Sequence, residues 1–150
     1  MERRYFTLEG ANRLVPAVAA AMDRALQLRV LLRREIDALA HQGLHVSQAV
    51  LMGREPERVP PGSENALERA RGLYATIMDE LRSVEALGAD VKGREDGLVD
   101  FWSLLDGETE VLLCWKLGES AIAFFHHPDD GFAGRKPVSG RRFSDVRRST

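Results

Sequence analysis

Residues 98–117 read LVDFWSLLDGETEVLLCWKL, and this stretch decides the fold class. Two runs rich in strand-forming residues flank Asp106-Gly107, which is a strong signal for a hairpin turn. Gly118-Glu119 predicts a second turn, and residues 121–127 continue as a further strand. The sequence therefore predicts a three-stranded antiparallel meander, with residues 90–92 as a candidate fourth strand at its edge.

Two long amphipathic helices precede the meander. Apolar residues recur at steps of three and four over residues 16–41 and 63–87, which is typical of helices with one buried face. Pro16 suits the first turn of the earlier helix, Ser63 is a good N-cap for the later one, and Gly88 is its expected end. We therefore predict an α+β fold, in which a long antiparallel helical hairpin packs on a small three- to four-stranded antiparallel meander.

The two remaining segments have a different composition. Residues 42–62 contain glycines and three prolines and break regular structure, which favours disorder or loose packing. Residues 135–150 hold six Lys and Arg residues and one Asp, although the whole chain has a net charge of −2. We expect one α+β domain over residues 1–137 and a disordered, basic tail over residues 138–150. The tail could alternatively touch phosphates or anionic lipid.

The composition limits the classes of function. The chain is 44% hydrophobic and 29% charged, as is ordinary for a soluble domain, and no run approaches the ~20 apolar residues of a membrane span. The one cysteine, Cys114, cannot form an internal disulfide, so a cytoplasmic location is expected. Because the body of the protein is acidic, nucleic acid is an unfavourable partner.

Several motifs together resemble one known family. They are YFTLEGANRLVP at 5–16, GLVDF at 97–101, VLLCWKLGE at 111–119, FFH at 124–126 and GFAGRKP at 131–137. In combination they are similar to the uncharacterised bacterial domain-of-unknown-function family 2203, and the resemblance covers nearly the whole chain. It implies no activity, but it directs attention to Glu9, Asn12, His126 and the loop at 131–135.

The loop Gly131-Phe-Ala-Gly-Arg135 is the strongest candidate for a ligand site. Glycines can aim backbone N–H groups at an anion, and an arginine can bind a carboxylate or phosphate through two hydrogen bonds. The alternative is a tight turn that buries Phe132 and pairs Arg135 with a nearby acid. No complete phosphate-loop pattern is present.

His126 invites a metal hypothesis, with Asp129 in the turn that follows. His126 and His127 are adjacent on a strand and point to opposite faces, so a site would use one of them, Asp129 and Glu9. A histidine that forms hydrogen bonds at the strand end is the simpler interpretation. Cys114 is interpreted as an inert buried thiol, and we predict no metal and no cofactor.

Two functions from different classes stay open. The first is a non-enzymatic interaction or accessory module, which self-associates as a homodimer because the apolar inventory is large for the predicted elements. A further protein partner is compatible with this hypothesis. The second is a small-molecule- or divalent-metal-dependent enzyme with its site at the end of the meander. The candidate ligand-binding residues are Glu9, Asn12, His126, Gly131, Gly134 and Arg135.

Overall fold

The computed structural model describes residues 3–149, and the fold is α+β. Over these residues the helices are α1 (Leu8–His41), α2 (Gln48–Leu51) and α3 (Glu64–Ala86), with a short 3-10 turn at Phe132–Gly134. The strands are β1 (Asp90–Gly93), β2 (Leu98–Leu105), β3 (Thr109–Lys116), β4 (Phe124–His126), β5 (Lys136–Pro137) and β6 (Phe143–Ser144). The chain forms two compact units, one of residues 24–82 and one of the described residues on either side. Within residues 3–149, no helix is long and apolar enough to cross a membrane.

The first helix begins at Leu8, eight residues before the predicted start. The reason is Thr7, whose hydroxyl oxygen accepts a hydrogen bond from the backbone N–H of Gly10 at 2.9 Å and so caps the helix. Pro16 lies inside the helix, where it lacks the N–H that would bond to the carbonyl of Asn12. The early start places Asn12 on regular helix.

In the unit of residues 24–82, the two long helices form the predicted antiparallel pair. Arg24 of α1 pairs with Glu80 of α3 at 2.9 Å, and Glu35, later in α1, pairs with Arg69, earlier in α3, at 3.1 Å. The two helices therefore run in opposite directions. The core of this unit comes from both helices and from the segment between them. It contains Leu32, Leu39, Leu44, Val46, Val50, Leu67 and Ala70.

The segment 42–62 differs from the expectation of disorder or loose packing. It contains α2, capped by Ser47, whose side-chain oxygen accepts from the N–H of Val50 at 3.3 Å. The guanidinium of Arg71 donates to the carbonyl of Val50 at 2.9 Å and to that of Arg54 at 3.0 Å. Glycine and proline break regular structure here, but the buried Leu44, Val46 and Val50 hold the segment in place.

The sheet is larger than the predicted meander. Its strand order is β1-β2-β3-β4-β5, and all pairs are antiparallel. Strand β1 pairs with the beginning of β2, and β6 pairs with the end of β2. The predicted hairpin between β2 and β3 is confirmed, and Asp106 and Gly107 in its turn have positive φ values of 57° and 74°. The two extra strands, β5 and β6, come from the glycine-rich loop and the basic tail, whose sequences carry no clear strand period.

Residues 138–144, which belong to the segment predicted as a disordered tail, carry β6 at Phe143–Ser144. Phe143 is 6% exposed and packs edge-on against Phe125, with ring centroids 5.2 Å apart. Val138 is also buried. These apolar side chains hold residues 138–144 on the sheet despite the surrounding arginines.

Glu110 on β3 joins both ends of the described chain. Its carboxylate accepts a hydrogen bond from the hydroxyl of Tyr5 at 2.9 Å and also pairs with Arg3 and Arg147. The bond from Tyr5 and the two guanidinium charges lower the pKa of Glu110 from its ordinary value. The charged form of Glu110 therefore stabilises the fold at neutral pH.

We expect Glu110→Gln to lower the free energy of unfolding by about 1 kcal/mol at about pH 7, because the pairs are partly exposed to solvent. A depressed carboxylate pKa contributes stability above its unfolded value and loses it as the pH falls through the folded value. The difference between variant and wild type should therefore shrink at about pH 3, as measured by urea unfolding. Glu108→Gln, at a more exposed pair with Arg148, is the matched control. An equal loss at both pH values would contradict the prediction.

Candidate functional site

The sheet has two faces of opposite character. One face, which we name the core face, carries Val99, Phe101 and Ser103 of β2, Val111, Leu113 and Trp115 of β3, and Phe125 of β4, all fully buried. The other, which we name the pocket face, carries Leu98, Asp100 and Trp102 of β2, Leu112 and Cys114 of β3, and His126 of β4. The strand register therefore places on the same face three side chains that can act as acids, bases or metal ligands: Asp100, Cys114 and His126.

His126 and Asp100 form the polar centre of the pocket face. Nδ1 of His126 lies 2.8 Å from the carbonyl oxygen of His127, and because a carbonyl can only accept, Nδ1 carries the hydrogen. Nε2 lies 3.2 Å from Oδ2 of Asp100. A hydrogen must therefore lie between Nε2 and Oδ2, carried either by the imidazole or by the carboxyl group.

Asp100 has lost almost all contact with solvent. It is 2% exposed, and burial raises the pKa of its carboxyl group, an effect that the neighbouring His126 opposes. Within residues 3–149, its Oδ1 atom has no hydrogen-bond partner. A buried oxygen that lacks a hydrogen-bond partner costs free energy. Such atoms are therefore rare in native structures, and each calls for an explanation, for example a catalytic role or a bound ion.

Cys114 lies directly opposite Asp100 in the pairing of β2 with β3. Burial, followed by the negative charge of Asp100, raises the pKa of its thiol to about 12. The thiol is therefore protonated and a poor nucleophile by itself, which agrees with the expectation of an inert cysteine. One ligand atom from each of Asp100, Cys114 and His126 lies within 4.8 Å of the other two.

A pocket of about 310 Å³ opens onto Asp100 and His126. Its walls are mostly apolar and include the aromatic residues Trp102 and Phe132. Lys92 is the one cationic side chain among the lining residues, and its ammonium lies 3.9 Å from the carboxylate of Asp90. The remaining lining residues are Leu98, Leu112, Pro128 and Gly131.

Residues 127–135 form one wall of this pocket, and we name them the cover loop. Two of its glycines are required by geometry. Gly131 has a positive φ of 66°, and a Cβ on Gly134 would lie 2.4 Å from Cβ of Asp130. These glycines shape the turn that presents Phe132 to the pocket, so their role in the structure is to fold the wall.

Arg135 fixes the end of the cover loop. Its Nη2 donates to both carboxylate oxygens of Glu119, at 2.9 and 3.0 Å, and to the carbonyl of Cys114 at 3.3 Å. Its guanidinium also stacks over Phe124 at 4.3 Å and Phe132 at 4.7 Å. Glu119 in turn accepts from the backbone N–H of Lys116 at 2.7 Å. Arg135 is thus paired with a nearby acid, whereas Phe132, which the tight-turn alternative would bury, is 46% exposed.

The predicted site residues divide among three places. His126 and Gly131 line the pocket, while Gly134 and Arg135 shape and hold the cover loop. The side-chain oxygen of Asn12 accepts from the N–H of Ile122 at 2.8 Å, which ties α1 to the chain before β4. Glu9 and Asp129 are exposed. Within residues 3–149, no hydrogen bond joins Arg135 to His126, Glu9 or Asn12.

Sequence reasoning missed Asp100 as a candidate site residue. One signal was present, because the one charged residue in the mostly apolar strand 98–105 is rarely buried without a partner or a role. Cys114 was considered alone, and the opposite position of the two residues depends on the register that starts at the Asp106-Gly107 turn. The position of His126 beside them depends on the pairing of β3 with β4, for which the loop 117–123 gives no rule.

The fold and site thus define an α+β protein with a partly covered Asp-Cys-His cluster on one sheet face. The family model described as uncharacterized conserved protein (DUF2203) matches residues 4–138, so the chain belongs to that family, as the motifs predicted. Neither the curated proteins nor the solved structures contain a significant match to the chain.

We expect Arg135→Ala to lower the free energy of unfolding by about 1–3 kcal/mol, because Glu119 and the carbonyl of Cys114 lose a partly buried donor. The measurement is chemical unfolding followed by circular dichroism. Arg148→Ala, at an exposed ion pair, should change stability by less than about 0.5 kcal/mol. An unchanged or raised stability in Arg135→Ala would indicate that the arginine is retained for a ligand.

Proposed function

We propose that the protein binds a small molecule in the pocket on the sheet and places the polar group of that molecule against Asp100 and His126. The observation that carries the proposal is the burial of a carboxyl group and an imidazole, 3.2 Å apart, in the lining of an open pocket. A convergent polar pair in an apolar pocket is the usual form of a small-molecule site. This supports the small-molecule class of function over the pure interaction module.

The size and lining of the pocket restrict the ligand. A volume of about 310 Å³ is at the small end for ligand pockets, so a single-ring molecule fits better than a nucleotide. Trp102 and Phe132 offer aromatic surfaces to a flat apolar body. The polar group of the ligand would then reach the unpaired Oδ1 of Asp100 or the ring of His126.

The indole N–H signals in a proton–nitrogen correlation spectrum provide a direct test. Trp102 lines the pocket, whereas Trp115 is fully buried on the core face and serves as an internal reference. We expect benzoate, benzyl alcohol or benzylamine to shift the Trp102 signal saturably and leave that of Trp115 in place. These probes share one ring and differ in the charge of the polar group.

A matched pair of variants localises the binding. Phe132→Ala removes an exposed wall of the pocket and should weaken the probe affinity about fivefold, which corresponds to about 1 kcal/mol. Val146→Ala, at an exposed apolar residue of the tail, should leave the affinity unchanged. Binding that is equal in both variants, or no saturable shift with any probe, would refute the proposal.

We also propose that the protein self-associates as a homodimer through the helical unit of residues 24–82. Val30 and Leu31 are 54% and 45% exposed, and Leu31 lines a surface groove of about 460 Å³ with Leu73 and Gly72. Gly72 lies inside α3, where glycine costs about 1 kcal/mol relative to alanine, and apart from its chain neighbours and the nearby backbone of α3 no described atom lies within 4 Å of the position of its Cβ. Packing within the described chain gives no reason for this glycine, whereas close approach of a second copy does.

The oligomeric state tests this second proposal. We expect light scattering at micromolar concentration to give twice the chain mass of 16.7 kDa for the wild type. Leu31→Glu should give a monomer, because it places a charge in the proposed interface. Met52→Glu introduces the same charge at a residue of the same unit that is 71% exposed, and it should leave the dimer intact. A monomeric wild type would refute the proposal.

We retain a cytoplasmic location as a proposal. Its support is Cys114, the one cysteine of the chain, which is a free thiol buried in the sheet. Such cysteine usage is typical of reducing compartments.

A further inference from the structure

The three donor groups on the pocket face come from three neighbouring strands. Asp100 and Cys114 are direct cross-strand partners, and His126 pairs with Leu112, two residues along β3 from Cys114. All three side chains are buried, with exposures of 2%, 0% and 4%. Strands hold side chains more rigidly than loops do, so the arrangement is preorganised.

The histidine is oriented as a metal ligand would be. Metal-binding histidines usually donate the other ring N–H to a carbonyl or carboxylate, which fixes the tautomer and directs the free lone pair at the metal. Here the N–H at Nδ1 is bonded to the carbonyl of His127, which leaves Nε2, the atom that faces Oδ2 of Asp100, as the available ligand atom. The separation of 3.2 Å between Nε2 and Oδ2 is close to the ~3.3 Å expected between two ligand atoms around a tetrahedral ion with bonds of about 2.0 Å.

A proton alone leaves part of the cluster unexplained. A proton between Nε2 and Oδ2 would satisfy those two atoms, but it would leave the buried Oδ1 of Asp100 without a partner. A divalent cation would instead engage the carboxylate, the imidazole and the thiolate together. This ligand set of mixed hardness suits zinc, whereas magnesium and calcium prefer oxygen ligands.

We propose that Asp100, Cys114 and His126 bind one zinc-class divalent cation and leave its fourth ligand position open to the pocket. Three protein ligands with one open position are typical of catalytic rather than structural zinc sites. On binding, the thiol of Cys114 releases its proton to solvent and the sulfur becomes a thiolate ligand. The pocket, which reaches Asp100 and His126, provides the entry path.

The proposal deepens the proposed function, because a ligand in the pocket would reach the open position on the metal. It predicts that the ligand carries an oxygen, nitrogen or sulfur donor at its polar end. This site differs from both sequence predictions. The first was that no metal or cofactor is bound, and the second was that a metal site would use His126 with Asp129. Asp129 is exposed in the cover loop, and Asp100 takes its place beside the histidine.

Cobalt provides the sharpest test, because the chain contains a single cysteine. Titration of the full-length, metal-stripped protein with Co²⁺ should produce a thiolate-to-cobalt charge-transfer band in the near ultraviolet. A band that saturates at one equivalent per chain can only come from Cys114, and Zn²⁺ should abolish it. This measurement needs no variant, so it stands even where a substitution disturbs folding. Absence of the band, or its appearance only with a large excess of cobalt, would overturn the proposal.

Variants then identify the other two ligands. Asp100→Asn and His126→Gln should each weaken Co²⁺ binding at least tenfold, with folding checked by circular dichroism. The matched controls are His127→Gln, on the adjacent histidine, and Asp129→Asn, on the aspartate that the sequence indicated. Both should bind as the wild type does. Wild-type affinity in Asp100→Asn and His126→Gln would overturn the assignment of these ligands.

Failure of this proposal is distinguishable from failure of the proposed function. Saturable shifts of the Trp102 signal by the ring probes, in a protein that shows no cobalt band, would refute the metal site alone. A cobalt band without any probe binding would refute the small-molecule pocket alone.

Discussion

The pairing of β2 with β3 is the constraint on which the rest of the sheet depends. Eight consecutive residue pairs lock these strands together, and the side chains alternate between the two faces. A slip of one residue would move Phe101 to the pocket and Asp100 into the core. Burial of Phe101 and Trp115 on the core face therefore also fixes the polar residues on the pocket face. The residues that form the core and the residues of the candidate site therefore lie on opposite faces of the same strands.

The sequence predicted the elements with a strong period better than those without one. The two helices, the Asp106-Gly107 turn and the three central strands follow from apolar spacing and turn chemistry. The early start of α1 was missed because Pro16 favours the first turn of a helix, whereas the helix is capped at Thr7 and contains Pro16 in its interior. Strand β6 was missed because arginines surround Phe143, and only the tertiary contact with Phe125 shows that this residue is buried.

The candidate site was predicted in part, for a physical reason. His126 and the loop at 131–135 were recognised from local sequence, and both contribute to the pocket. The partners of His126 and Arg135 are Asp100 and Glu119, which lie 26 and 16 residues away along the chain. Such pairs depend on strand register, and a short hairpin turn defines register whereas the longer connection between β3 and β4 does not. Arg135 therefore holds the cover loop in place through its bonds to Glu119.

The convergence of Arg3, Tyr5 and Arg147 on Glu110 has a consequence for synthesis of the protein in the cell. Residues 24–82 are continuous in sequence, so their helices can pair as soon as they leave the ribosome. The sheet-bearing unit is discontinuous, and its N-terminal segment must wait for strands that are translated more than 80 residues later. During that interval Phe6 and the apolar side of early α1 lack their partners. This segment is therefore where a nascent chain would most need a chaperone.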